Sequence, residues 1–486
     1  MAIRDLPRRP SLEHLDNEAE ALERGVLEGD PAALAQAQEF CPRFGERADD
    51  FGLTDAQRTV ARSYGQPSWG RLKNYVEVIT TYARDPHTVG PLADTADEFL
   101  RLACLVYGGD DLGRPESAAR MLAEEPSLAA RSIHTAAAAG DVNAAASILA
   151  GDPSQASRLG GPFAWEPLLY VAYSRLENGD HVAVARLLLE HGADPNAGYL
   201  WDGAYLFTAL TGAFGYGEDA PNQPPHRESI ALARLLLEAG ADPNDDQTIY
   251  NRHFRRENDY LELLLDYGLG KARRGPWPGR LGGHLAPPQL LAEDALVFVA
   301  GDDSYCERVE LLLRHGVDPD GRGTQHPALG SHRPIELAFA EGARKNLELL
   351  RAAGAQLPDV DAVDAFLSLC MQGEREAVER ELDRDPGLAA AAIGRNPRAL
   401  IDAAQRGNAP GVELLARLGY DVNLTHNGQT ALHLAAYQGH RQVCELLVFL
   451  GADPSLRDNA YDAPAAGWAR HAHHDELADW LTRQTP

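Results

Sequence analysis

Lysine is almost missing from this chain. Lys73, Lys271 and Lys345 are the only ones, and arginine supplies the rest of the 45 basic residues. Set against 72 acidic residues, this leaves a formal net charge of −27. So acidic a surface disfavours sequence-independent binding to nucleic acid or to an anionic membrane, both of which need clustered positive charge. The five cysteines (Cys41, Cys104, Cys306, Cys370, Cys444) are scattered, with no C-x-x-C pair, which argues against a disulfide framework and for reduced thiols. No apolar run approaches the roughly 20 residues that span a bilayer. The opening ten residues hold no signal-peptide core, and the expectation is a cytoplasmic, monomeric protein. Phosphate-binding loops, nucleophile elbows and dinucleotide glycine fingerprints are missing too, so no catalytic residue, cofactor or metal is expected. The acids are too many for spacing alone to single out a catalytic carboxylate pair. Arginine in place of lysine fits a GC-rich bacterial genome.

What the chain does have is a repeated unit, clearest over 428–454. Thr430 stands where a hydroxyl caps a helix, and Leu432, Leu434, Ala435 and Ala436 give that helix an apolar face. Gly439 suits the left-handed residue that ends it. Val443, Leu446, Leu447 and Leu450 mark a second helix, and Gly451-Ala452-Asp453-Pro454 turns the chain to the next unit. The stretch Thr430-Ala431-Leu432-His433-Leu434-Ala435 followed by this turn resembles one ankyrin repeat, with Ala431 where the family usually has proline. His433 in that motif implies a structural hydrogen bond within its own turn.

Weaker copies run back to about residue 95. Leu187-Leu188-Leu189-Glu190-His191-Gly192-Ala193-Asp194-Pro195 and Leu235-Leu236-Leu237-Glu238-Ala239-Gly240-Ala241-Asp242-Pro243 are two of them. The turn glycines Gly192, Gly240, Gly268, Gly316, Gly354, Gly419 and Gly451 fall near the period of about 33 residues or wider than it, the wide gaps reading as insertions. The expected fold is therefore an all-α ankyrin-repeat solenoid of about eleven helix-turn-helix units over 95–486. Residues 463–481 form its polar closing unit. Ahead of it, 1–85 reads as a small helical domain, with a stripe at Leu12, Leu15, Ala19, Leu22 and Val26 and a helix capped by Thr54. Its Ala61-Arg62-Ser63-Tyr64-Gly65 and Ser68-Trp69 resemble a segment found ahead of bacterial ankyrin arrays. The expected role is a cap over the first repeat.

Insertions are where such scaffolds place particular functions. One spans 215–226, inside the fourth repeat. The other spans 270–287, projects on the finger side, and holds Lys271, Arg273, Arg274, Trp277, Arg280 and His284 in a stretch with no acid between Tyr267 and Ala292. With aromatics at only 7% of the chain, the clustering of Trp165, Tyr199, Trp201 and Tyr205 in nearby fingers stands out. Together with Tyr250, Arg252, His253, Arg274, Trp277 and Arg280 they form the candidate binding patch. What the resemblance implies is protein–protein recognition through the concave face. The alternative from another class is an enzyme or small-molecule receptor, with 163–284 as a pocket and Arg252, His253, Arg274 and Arg280 around an anionic ligand. Plain packing of the aromatics at the finger bases is the competing structural reading. His471, His473 and His474 with Asp475 have a metal-like spacing, but fall at a solvated helix-to-helix turn.

Overall fold

The structure, a computed structural model, describes residues 4, 6, 7, 9–42, 44–47, 50–325 and 330–484. The extreme ends of the two expected domains, 1–3 and 485–486, lie outside the described residues. The chain divides into two compact units. The first runs to Arg252 and takes in Ala272–Ala286; the second is built from His253–Lys271 and the chain from Pro287 onward.

The first unit begins with the helices Leu12–Glu28, Pro31–Phe40, Leu53–Ser63 and Trp69–Tyr82. Leu15, Ala19, Leu22 and Val26 meet Ala56, Val60, Leu72 and Val76 in one apolar core, the helical stripe read above. Asp30 caps Pro31–Phe40 by accepting from the Ala32 and Ala33 N–H groups. Thr54 is not a cap: its helix starts at Leu53, after Gly52, whose extended backbone ends the preceding loop. Helix pairs follow, including Ile133–Ala139 with Val142–Gly151, and Pro167–Tyr173 with His181–Glu190.

This unit also holds a three-stranded sheet that a purely helical reading does not contain. β1 (Ala83–Arg84) pairs in parallel with β2 (Gly198–Trp201), which pairs antiparallel with β3 (Tyr205–Thr208). β-prone Tyr, Leu, Trp and Phe flank Asp202 and Gly203, whose φ values of 52 and 71 turn the chain sharply. The hairpin is one repeat's finger. The strand that joins it comes from the N-terminal segment.

The insertion at 270–287 folds onto that same segment. Its short helix Trp277–Leu281 places Trp277 and Leu281 against Ile79 and Leu200 in a small apolar cluster. Tyr82 meets Trp277 edge-on at 5.0 Å, and His284 stacks on Tyr75 at 3.7 Å. The half-buried Arg273 guanidinium anchors the stretch, donating to the Asn244 and Ala286 carbonyls and pairing with Asp246 at 2.7 Å. It is a strap rather than a projecting loop.

In the second unit the pairs are Pro288–Val297 with Cys306–Arg314, Pro334–Glu341 with Arg344–Ala352, and Ala362–Met371 with Arg375–Arg384. Ala399–Gln405 with Ala409–Arg417, Ala431–Tyr437 with Arg441–Phe449, and Ala465–His471 with Asp475–Gln484 complete it. An additional helix, Leu388–Arg395, occupies part of the wide gap between Gly354 and Gly419. One continuous core runs from Phe366 to Leu481, made largely of alanine and leucine, whose small or compact side chains let the helices approach closely. Among the described residues no helix is long and apolar enough to cross a membrane.

Candidate functional site

Most of the aromatics of the candidate patch come together, as a packed cluster. Trp165 and Tyr199 are 1% and 2% exposed, with ring centroids 5.0 Å apart. Phe163, Tyr173 and Phe207 surround them. Trp201 is half-buried beside Phe207 and donates its indole N–H to the Val106 carbonyl at 3.1 Å, while Tyr205 beyond it is 57% exposed. Trp277 is buried and donates to the Asn196 carbonyl at 2.8 Å.

The cations settle in separate places. Arg252 is buried, donates to the Phe214 carbonyl at 3.1 Å, and lies over the Tyr216 ring. Arg280 lies over Tyr82 and Trp277. Tyr250 donates to the Glu218 carboxylate at 2.7 Å, and Arg274 is exposed. His253 belongs to the second unit, where it stacks on Phe298. Among the described residues the clefts of the first unit include one beside Arg175 and Asp110 and another beside Arg273 and Trp277. Each is about 20 Å³, room for about one water molecule.

A far larger opening lies in the second unit, a groove of about 480 Å³. Three successive first helices build it. Pro334–Glu341 contributes Glu336, Phe339, Ala340 and Glu341; Ala362–Met371 contributes Asp364, Leu367 and Met371; Ala399–Gln405 contributes Ala399 and Asp402. Leu367 and Met371 are buried and Phe339 is half-buried, which gives the groove an apolar floor. Around the floor stand five carboxylates, with Asp359 as the fifth, against Arg395 and His332.

The arginines that balance those acids mostly reach them from outside the lining. Arg406 pairs with Glu341 at 3.0 Å, Arg398 with Asp402 at 2.6 Å, and Arg333 with Glu336 at 2.8 Å. Burial pushes the Glu341 carboxyl up; Arg406 opposes this and nearby Asp402 adds to it. At Glu336 burial works against the charge, but the Arg333 N–H and guanidinium outweigh it and hold the carboxyl below its usual value. Arg395 bridges Asp361 and Asp364, each at 2.8 Å. Asp359 is exposed and has no ion pair among the described residues.

The groove residues were not picked out from the sequence, although a signal was present. Phe339 lies three positions before Gly342, which ends its helix, as Ala436 lies three before Gly439 in the clearest repeat. Ala436 is buried, whereas Phe339 is half-buried and lines the opening. Elsewhere His433 has the structural role implied for it: its Nδ1 accepts from the Thr430 N–H, so Nε2 carries the proton and donates to the Ala463 carbonyl at 3.1 Å. His471 stacks on Tyr437, and the His474 ring covers Gly439. Among the described residues no group of three or more His, Cys, Asp or Glu side chains is placed to hold a metal ion.

Comparison with known proteins points the same way as the repeat geometry. A family model described as "Ankyrin repeats (3 copies)" matches residues 366–458, which include Leu367, Met371 and Asp402 of the groove but not Phe339, and one described as "Ankyrin repeat" matches 165–198. The mouse protein "Ankyrin repeat domain-containing protein 63" is 32% identical over 154 residues, 31% of this chain and 35% of that protein. "Ankyrin repeat and KH domain-containing protein mask-1" of Caenorhabditis elegans is 29% identical over 175 residues, 36% of this chain and 6% of that protein. The chain thus spans about a third of the first of these relatives and a small part of the second.

Proposed function

We propose, taking as premise that this chain is an ankyrin-repeat protein, that it recognises a protein partner through the groove lined by Phe339, Leu367 and Met371. Ankyrin repeats carry a general role in protein–protein interaction. The finer reading adds the place. The observation that carries it is the open volume of about 480 Å³ over an apolar floor made by three consecutive first helices. The apolar floor supplies the desolvated contact that anchors a protein interface. We take the array to be about eleven units over 95–486, behind the helical segment 1–85, and to act as a binding or scaffold protein rather than an enzyme.

A capture experiment separates this from the patch at 163–284. Lysate proteins are captured on the wild type, on Ala340→Trp, which fills the groove from an exposed position, and on Tyr205→Ala/Arg274→Glu, which alters the exposed part of the patch. Folding of each is first checked by circular dichroism. Loss of a partner from Ala340→Trp alone supports the groove. Loss from the double variant alone moves the site to the fingers and strap. Retention by both refutes each location.

A further inference from the structure

We infer that the partner of this groove presents an arginine- or lysine-bearing segment of a basic protein, an inference that rests on the groove reading above. The groove combines two features that such a side chain needs at once. Its floor, Phe339, Leu367 and Met371, gives the methylene stem of such a side chain an apolar bed. Its walls carry five carboxylates; Arg333, Arg395, Arg398 and Arg406 pair with four of them, and Asp359 is left without an ion pair among the described residues.

Those carboxylates keep acceptor capacity in hand. Arg398 engages only Oδ1 of Asp402, through both Nε and a terminal nitrogen. Arg395 engages only Oδ1 of Asp364, and Arg406 only Oε1 of Glu341. Each therefore leaves a second oxygen with no donor among the described residues, and an ionised carboxylate has room for several hydrogen bonds. An incoming guanidinium or ammonium would fill those sites and relieve the repulsion between Glu341 and Asp402 that helps push the Glu341 carboxyl up. Asp359, exposed and without an ion pair among the described residues, stands at the rim as a first contact. The net charge of −27 acts at longer range, drawing a basic partner in and turning an acidic one away.

The test uses the full chain and three fluorescently labelled peptides of equal length, one rich in arginine and lysine, one rich in glutamate, and one of serine and glycine. Anisotropy titrations are run at physiological salt, where charges more than about 8 Å away are largely screened. Asp359→Lys reverses the rim charge, Ala340→Trp blocks the groove, and Glu376→Lys makes the same charge change on the helix Arg375–Arg384, at a side chain 92% exposed. The inference expects the basic peptide alone to bind, with Asp359→Lys and Ala340→Trp each weakening it about tenfold and Glu376→Lys changing it less than about twofold. Equal weakening by both lysine substitutions would mean diffuse attraction to an acidic protein, and would overturn it. So would binding of the acidic or neutral peptide as well as the basic one. If Ala340→Trp abolishes partner capture while the basic peptide fails to bind, the groove reading stands and this inference falls. If Ala340→Trp leaves capture intact, both fall.

Discussion

Asp458 accepts from the backbone N–H groups of Ala460, Tyr461 and Ala463 and from the Trp468 indole, all from one buried carboxylate. Burial alone would raise its pKa; these four donors more than reverse that and hold it below the usual carboxylate value. Asp458→Ala strands the donors, and the expected cost is about 1–3 kcal/mol, read as an earlier denaturation midpoint of the C-terminal repeats. His226 and His181 make a different pair, both buried, their rings 4.8 Å apart. Burial first, then His181, Arg175 and Arg227, push His226 from its ordinary 6.5 down to about 2. The folded state therefore resists a proton that the unfolded chain takes up near pH 6.5, so the stability this group supports is present above that value and lost as pH falls below it. The expected loss is about 2 kcal/mol between roughly pH 7 and pH 5. His226→Asn, which keeps an acceptor for the Glu228 N–H but cannot be charged, flattens that slope in thermal melts across the same range.

At the scale of elements, successive repeats are stitched by polar side chains near the start of second helices. His181 donates to the Ala138 carbonyl, Asn346 to the Ala300 carbonyl, Asn408 to the Met371 carbonyl and His440 to the Gln405 carbonyl, each closing the end of the preceding repeat's first helix. The finger turns have a similar stitch: Asn196 spans the Gly240 carbonyl and the Asp242 N–H, as Asn423 spans those of Gly451 and Asp453. Asn408→Ala removes the bond to Met371 and the cap on Gly411 together, and about 1–3 kcal/mol should be lost in urea denaturation. These elements were largely legible in the sequence, because Thr-x-Leu-His and Gly-Ala-Asp each carry a local physical cause, a cap or a left-handed turn. The hairpin was not expected, although Asp202-Gly203 between Tyr-Leu-Trp and Tyr-Leu-Phe-Thr is a local turn signal set within a helical period. Nor was the groove. Its lining comes from three helices some thirty residues apart, and nothing local to Phe339, Met371 or Asp402 says that they share a space. The patch residues Trp165, Tyr199 and Trp277 were noticed for their chemistry, whereas their burial depends on partners distant in the chain.

For the molecule as a whole, the N-terminal segment is tied to the finger hairpin by a piece of chain about two hundred residues later, through Tyr75, Ile79 and Tyr82 on one side and Trp277, Leu281 and His284 on the other. No sequence rule reports such a contact, since each half looks like an ordinary exposed helix or loop until the other is present. Trp277→Ala should cost about 3–5 kcal/mol locally. Hydrogen exchange is the measurement: protection of the Ile79–Arg84 amides falls while that of Phe366–Leu481 is unchanged. Equal loss across both stretches would mean that the tryptophan supports the fold at large. The strap also sets an order of events on the ribosome. Its residues, 272–286, belong to the first unit, yet they are translated after His253–Lys271, which belongs to the second. The nascent first unit therefore waits with the Trp277 slot beside Tyr82 vacant while part of its neighbour is already outside the exit tunnel, and a chain released at residue 252 would carry that apolar vacancy permanently.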